Sequence, residues 1–256
     1  MKITILGCGG SGGVPLIGNN WGRCDPDNPK NRRLRPSIFI EDKDLGILVD
    51  TSPDLRQQLL ASDIQRIDAV LYTHPHADHL HGIDDMRGVN RLMQKAIPIY
   101  AGQQTLDEIH KSFSYVLKQL PEGHGFYKPQ LQENLIKPFE QFQVGHLSIL
   151  PIEQEHGFIK SFGFRIGDFA YCTDVVDFSP RAMESLSGIK TWIIDCFLLE
   201  AHQSHAHFAK VVDWAGQLKP ERTILTHMSA QLDYDKLLAK CPPGMEPAFD
   251  GMVLDI

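Results

Sequence analysis

The chain has 256 residues, 42% hydrophobic and 22% charged, which is enough apolar material for a full core and fits a single domain over residues 1–256. Its formal net charge of −7 argues against a general nucleic-acid binder, so no stable nucleic-acid complex is expected. No stretch approaches the ~20 apolar residues of a membrane span, so no membrane partner is expected either. The five cysteines, Cys8, Cys24, Cys172, Cys196 and Cys241, are odd in number, scattered and free of CxxC pairs. They read as reduced thiols of a cytoplasmic protein.

In chain order, residues 2–6 read as a first strand running into Gly7, with no small-residue cleavage site that would mark a signal peptide. Gly7-Cys8-Gly9-Gly10-Ser11-Gly12 matches GxGxxG, but Pro15 and Gly18 follow and no helix opens there. A dinucleotide site is rejected on that missing context. The glycines are expected to let the backbone pass close to a site, and Ser11 is a candidate substrate contact or a plain turn residue. Strands follow at 37–40 and 46–50, then a helix at 53–62 with Ser52 as N-cap and Pro53 in its first turn. Further strands read at 69–73 and 97–100, and a helix at 104–119. Residues 121–138, rich in Pro, Gly and polar groups, are expected to form a mobile cover near the site. Strands at 147–151, 162–166 and 168–173 follow, with Gly167-Asp168 as a hairpin turn, then a weaker helix at 181–187. Strands at 191–195 and 222–226 and helices at 205–217 and 233–239 complete the chain. The mixture indicates a layered α/β domain around two sheets.

His74-Pro75-His76-Ala77-Asp78-His79 carries the chemistry: three imidazoles and a carboxylate within six residues, directly after an apolar strand. These are ligand types for borderline divalent metals. On an extended loop His74 and His76 point to one side and can grip one ion. Asp78 and His79, beyond the turn, can hold a second. A solvated histidine-rich loop is the alternative, and four more residues argue against it. Asp50, His156, Asp174 and His227 each stand at or just beyond a strand end. Strands of one sheet end along one edge, so these side chains can converge on residues 74–79.

This set, in this order, resembles the metallo-β-lactamase superfamily from the first strand to Met228. The resemblance implies a four-layer αββα sandwich and two metal ions. His74, His76 and His156 would hold one ion, Asp78, His79 and His227 the other, and Asp174 would bridge them, with Asp50 orienting ligands. Leu6-Gly7-Cys8-Gly9-Gly10-Ser11, Leu48-Val49-Asp50-Thr51-Ser52-Pro53-Asp54 and Thr226-His227-Met228-Ser229 are similar to the PhnP-like phosphodiesterase branch, allied to ribonuclease Z. That branch implies a further histidine over the site. His205 fits best and would open the helix after it, with His202 and His207 as rivals. PhnP also carries a structural zinc held by cysteines of the early loop and a late histidine. Here that loop offers one cysteine, Cys24, and the late position is Ala230, so that zinc is not expected.

The expected function is a dinuclear metal-dependent hydrolase, a phosphodiesterase for small phosphodiesters or cyclic nucleotides working through a metal-bridging hydroxide. The mixed nitrogen and oxygen ligands suit zinc or manganese, with iron as an alternative. Asp78 and His205 would be catalytic, His205 protonating the departing oxygen or hydrogen-bonding the phosphoryl group. Arg23, Lys30, Arg32, Arg33 and Arg35 read as a solvated basic face rather than a phosphate rim. Rival readings are an ester, lactone or thioester hydrolase on the same site, or a non-hydrolytic PqqB-like protein. A homodimer is common among such relatives.

Overall fold

The computed structural model describes residues 1–121, 123 and 125–256. Two seven-stranded mixed sheets form its centre. The first holds β1 (Lys2–Gly7), β2 (Ser37–Asp42), β3 (Leu45–Val49), β4 (Ala69–Leu71), β5 (Ile97–Ala101) and β6 (Leu131–Leu135) side by side in chain order. The second runs from β7 (Phe142–Val144) through β8 (Leu147–His156), β9 (Ile159–Ile166), β10 (Phe169–Cys172), β11 (Thr191–Asp195) and β12 (Arg222–Thr226) to β13 (Met245–Pro247). The last strand, β14 (Val253–Asp255), returns to pair with β1.

Strict alternation explains why the first sheet is buried on both faces. Ile38, Ile40, Ile47 and Val49 point into the core between the sheets, where they join Ile149, Phe164 and Ile166. Phe39, Leu48 and Val70 point the other way, against α1 (Leu55–Ala61), α3 (Met86–Met93) and α4 (Gln103–Ser112) through Leu59, Val89 and Ile109. On the far side, α6 (Phe208–Leu218) covers the second sheet, following α5 (Pro180–Ser185) in the chain. Trp214 of α6 meets Phe178 at 4.7 Å between ring centroids, and Phe178 meets Trp192 of β11 at 6.1 Å. The order is therefore helix, sheet, sheet, helix, the expected four-layer sandwich. No helix among the described residues is long and apolar enough to cross a membrane.

The topology places the site. β3 through β6 are parallel, as are β10 through β13. Parallel strands end together, and ligands gather outside their carboxyl ends. Asp50 follows β3, the histidine loop follows β4, and Asp174 follows β10. Asp195 ends β11, and His227 follows β12. Within the second sheet, Asp195 pairs directly with Thr226, so Asp195 and His227 stand at one height.

Several elements differ from the sequence reading. α1 begins at Leu55, two residues beyond Pro53, with Asp54 at its N-cap; Ser52 Oγ instead donates to Gln58 Oε1 at 2.9 Å and accepts from Asp54 N. The helix expected at 104–119 ends at Ser112. α2 (Ala77–Leu80) and α3 were not anticipated. The strand expected to end at 151 continues to His156, so His156 is its last residue and faces β9 across a tight turn. Part of the expected cover is β6, an edge strand beside β5. Asn90 of α3 donates to the Gln130 carbonyl at 3.0 Å, and Arg91 to the Phe126 carbonyl at 2.6 Å, so this stretch packs on α3. Residues 122 and 124 of that expectation lie outside the described residues. No described residue of 121–138 lines the site cavity.

Candidate metal centre

The end of β8, the loop and short helix after β4, and the loops after β10 and β12 bring seven ligand-type side chains together in two groups. His74, His76, His156 and Asp174 form one, and Asp78, His79, Asp174 and His227 the other. In each group one ligand atom per residue lies within 4.8 Å of all the others. Asp174 belongs to both, and its two oxygens divide the work. Oδ1 is 3.7 Å from His74 Nε2 and 3.4 Å from His156 Nε2. Oδ2 is 3.0 Å from His79 Nε2 and 3.4 Å from His227 Nε2. Asp78 Oδ2 lies 3.4 Å from both His79 Nε2 and His227 Nε2.

The residues fit metal ions on three counts. Two ligand atoms each ~2.1 Å from one tetrahedral ion stand ~3.4 Å apart, which is the spacing found here. The buried Nε2 atoms of His74 and His79 have no hydrogen-bond partner among the described residues, a costly state unless a cation takes their lone pairs. The opposite ring nitrogens are already committed to oxygen acceptors. His79 Nδ1 donates to Asp50 Oδ2 at 2.7 Å, and His156 Nδ1 to the Ser204 carbonyl at 2.7 Å. His74 Nδ1 lies 3.0 Å from Thr73 Oγ1, whose own proton goes to Asp50 Oδ2 at 2.8 Å. This arrangement fixes the tautomer that leaves Nε2 bare. Asp50 is thus the hub beneath the ligands, and it also accepts from Thr73 N at 2.8 Å.

Charge and burial act on these groups together. Burial drives His74 well below the usual histidine range, so its ring is neutral, with its one proton on Nδ1. Burial also pushes the Asp78 carboxyl upward, but the imidazoles of His79 and His227, each 3.4 Å from its Oδ2, outweigh that and hold it well below the usual carboxylate range, so Asp78 stays ionised. Backbone strain concentrates here too. Asp50, Asp174 and His227 have φ of +64°, +53° and +56°, a left-handed turn directly after each strand that swings the side chain toward the centre.

His205 stands over the site. It lies two residues before His207, the N-cap of α6, rather than opening that helix. Its Nδ1 donates to Asp195 Oδ2 at 2.8 Å, and its ring stacks on His227 at 4.7 Å. Burial disfavours its charged form, but the charge and hydrogen bond of Asp195, with Asp174 and Asp78 behind, raise it to about 9. His202 lines the same cavity farther out, 5.3 Å from the His205 ring; His207 does not line it. Ser11 also lines the cavity. A Cβ on Gly10 would fall 2.8 Å from the Phe197 ring and 3.6 Å from His227, so the glycine run is needed for close approach. Asp195, fully buried, was missed in the sequence. It ends a strand just as Asp50 and Asp174 follow theirs, and that shared pattern could have found it.

The early loop differs from its expected role. Arg33 is buried, and it ties the early loop to the residues after His227. Its guanidinium donates to the carbonyls of Leu232 at 2.7 Å and Ser229 at 3.3 Å. Cys24 Sγ packs beside it, 3.4 Å from the carbonyls of Ala230 and Leu232. Arg35 is paired with Asp54, and Lys30 lies over the Tyr234 ring at 4.4 Å.

Comparison with known proteins agrees with this geometry. The family model described as "Beta-lactamase superfamily domain" matches residues 46–228. The chain belongs to the beta-lactamase superfamily. A crystal structure of a diphosphatase from the PhnP family superposes with a TM-score of 0.90 at 32% identity, covering 99% of this chain and 96% of that one. This superfamily member therefore sits in the PhnP-like branch. An octanoyltransferase of Porphyromonas gingivalis is 32% identical over 255 residues, 98% of this chain and 51% of that protein. A ribonuclease Z of Bradyrhizobium is 27% identical over 140 residues, 53% of this chain and 45% of that protein. The chain thus spans about half the length of these curated relatives. Its fold and His/Asp groups are those of a superfamily whose members are generally hydrolases that use divalent metals.

Proposed function

We propose that the protein is a phosphodiesterase that holds two divalent ions, zinc or manganese, and cleaves a small phosphodiester or cyclic nucleotide. The observation that carries this reading is the division of Asp174, with one oxygen facing His74 and His156 and the other facing His79 and His227. Divalent ions supply a Lewis acid for the phosphoryl oxygens and ionise a water near neutral pH. His74, His76 and His156 would hold one ion, and Asp78, His79 and His227 the other. Asp50 fixes the ring of His79 directly and that of His74 through Thr73. Asp78, kept ionised, would serve as a ligand and accept a hydrogen bond from the attacking water. His205 is charged below pH about 9 and holds Nδ1 against Asp195, so its Nε2 proton is available to the departing oxygen. Ser11 at the cavity wall offers a hydroxyl to the phosphoryl group.

A second reading, hydrolysis of an acyl ester or thioester, is favoured by one observation. The chain matches half of a protein named for octanoyl transfer. One panel separates the two. Metal-loaded protein is given bis(p-nitrophenyl) phosphate, p-nitrophenyl phosphate, a lactone and an octanoyl thioester, with Asp78→Ala as the control for contaminants. Diester cleavage lost in Asp78→Ala supports the proposal. Turnover of the lactone or thioester alone replaces it with the acyl reading, and no turnover of any substrate refutes both.

A further inference from the structure

The cavity above the centre has a volume of about 570 Å³, more than one phosphoryl group fills. Its floor is the ligand set. Its outer wall comes from the turn between β8 and β9, Gly157-Phe158-Ile159, and from the loop 202–204. Phe158 is 98% exposed there, although a phenyl ring gains from burial wherever packing allows it. The turn that carries it is fixed. Gly157 has φ +65°, and a Cβ on it would lie 3.0 Å from Ser204 Cβ. The preceding residue, His156, donates to the Ser204 carbonyl at 2.7 Å. The backbone that carries Phe158 is therefore anchored beside a proposed metal ligand, His156.

Among the described residues, the outer wall offers no Lys or Arg, and the charged His205 lies inward, over the ligand groups. Lys160, two residues beyond Phe158, is paired with Glu155, and Lys210 is paired with Asp177 at 3.2 Å. Charged groups of a substrate beyond the one at the centre would find no charge-assisted partner among these side chains. What the wall does offer is a phenyl ring, the His202 imidazole, and the neutral polar groups of Gln203 and Ser204. Such a surface suits a flat, uncharged ring system, since every base or aryl ring has a π-face to stack.

We infer that Phe158 is the specificity platform of this site, stacking the planar, uncharged part of a phosphoester such as a nucleobase or aryl group. The inference rests on the phosphodiesterase reading for the position of the phosphoryl group. It is tested by calorimetric titration of metal-loaded protein with AMP and with ribose 5-phosphate, which share a phosphate and sugar but differ in the base. Stacking of one base corresponds to a ratio of roughly 5- to 150-fold in binding constant. Wild type is expected to prefer AMP by about tenfold or more, Phe158→Ala to bind both alike, and Phe158→Trp to keep the preference. Equal binding in wild type, no binding of AMP, or a preference that survives in Phe158→Ala overturns the inference. Hydrolysis of bis(p-nitrophenyl) phosphate by the same wild-type preparation separates the two proposals. A base preference that depends on Phe158 without any diester cleavage leaves the platform standing and removes the phosphodiesterase. Cleavage with a preference indifferent to Phe158 does the reverse.

Discussion

Replacing Arg33 with Met should destabilise the protein and loosen the loop that carries His227. Arg33 is 1% exposed, and its guanidinium makes three hydrogen bonds, to the carbonyls of Leu232 and Ser229 and to Asn31 Oδ1. Asn31 in turn donates to Asp233 Oδ2 at 2.7 Å, and its Oδ1 also accepts from Tyr234 N at 2.8 Å. Methionine fills similar volume but makes none of these bonds. Net values of about 1 kcal/mol per bond give a loss of roughly 3 kcal/mol. Relief of the buried charge, whose Nε has no partner, subtracts from this; the Ser229 and Leu232 carbonyls left without the guanidinium add to it. At roughly 2–4 °C per kcal/mol for a domain of this size, the midpoint of thermal unfolding should fall by about 10 °C. Arg33→Lys should lose most of the same stability, because a single ammonium cannot span two carbonyls as a planar fork does. Urea unfolding followed by circular dichroism gives the free energy directly. A loss below about 1 kcal/mol in Arg33→Met, within the range of an ordinary surface substitution, would refute the view of Arg33 as the tie between the two loops.

Three other predictions concern the site and its supports. Asp195→Asn removes the charge that raises His205 to about 9, so activity should fall off at lower pH on the alkaline side, toward the ordinary histidine value of about 6.5; an unchanged alkaline limb would exclude His205 as the acid. Asp250 is pushed up to about 7, chiefly by burial, against an ordinary value of 3.8. Between these values the folded state binds the extra proton, so stability should decline as pH rises from about 4 to 7 and level off above that. Asp250→Asn should flatten that slope in unfolding titrations, and a slope that persists places its origin elsewhere. Gly82→Ala would put a Cβ 1.9 Å from the Ser52 carbonyl oxygen, a backbone atom that cannot turn aside. α2, with Asp78 and His79, must then move, costing about 3 kcal/mol. Elemental analysis should show reduced bound metal, and full metal content with an unchanged melting midpoint would contradict the expected clash.

That these histidines and aspartates gather in one place was legible because the set announces itself in the sequence. A lone His or Asp at a strand end is usually structural, but a whole set of them is not, and the parallel arrangement puts those ends on one edge. Asp195 ends its strand as Asp50 and Asp174 follow theirs, and the pairing of β11 with β12 brings it beside His227. β6 was hidden because it lies at an edge, with Leu131 buried and Gln132, Glu133 and Asn134 exposed. The far half of β8 was hidden by polar residues that serve the interior. Gln154 is buried, and its amide donates to Ser161 Oγ at 3.0 Å and the Thr173 carbonyl at 2.9 Å. α2 is a single turn with no room for a periodic signal, and α3 contains Gly88, a weak helix former. Arg33 was read with its charged neighbours as solvated, because a run of like charges carries no sign of which member turns inward.

The proposed phosphodiester cleavage would need two ions, one for each of the ligand groups that share Asp174. The most direct test is the rate of bis(p-nitrophenyl) phosphate hydrolysis by chelator-stripped protein as zinc or manganese is added back in measured equivalents. Little activity is expected up to one equivalent per chain, with a rise that saturates near two. Full activity at a single equivalent, or activity indifferent to added metal, would contradict that expectation.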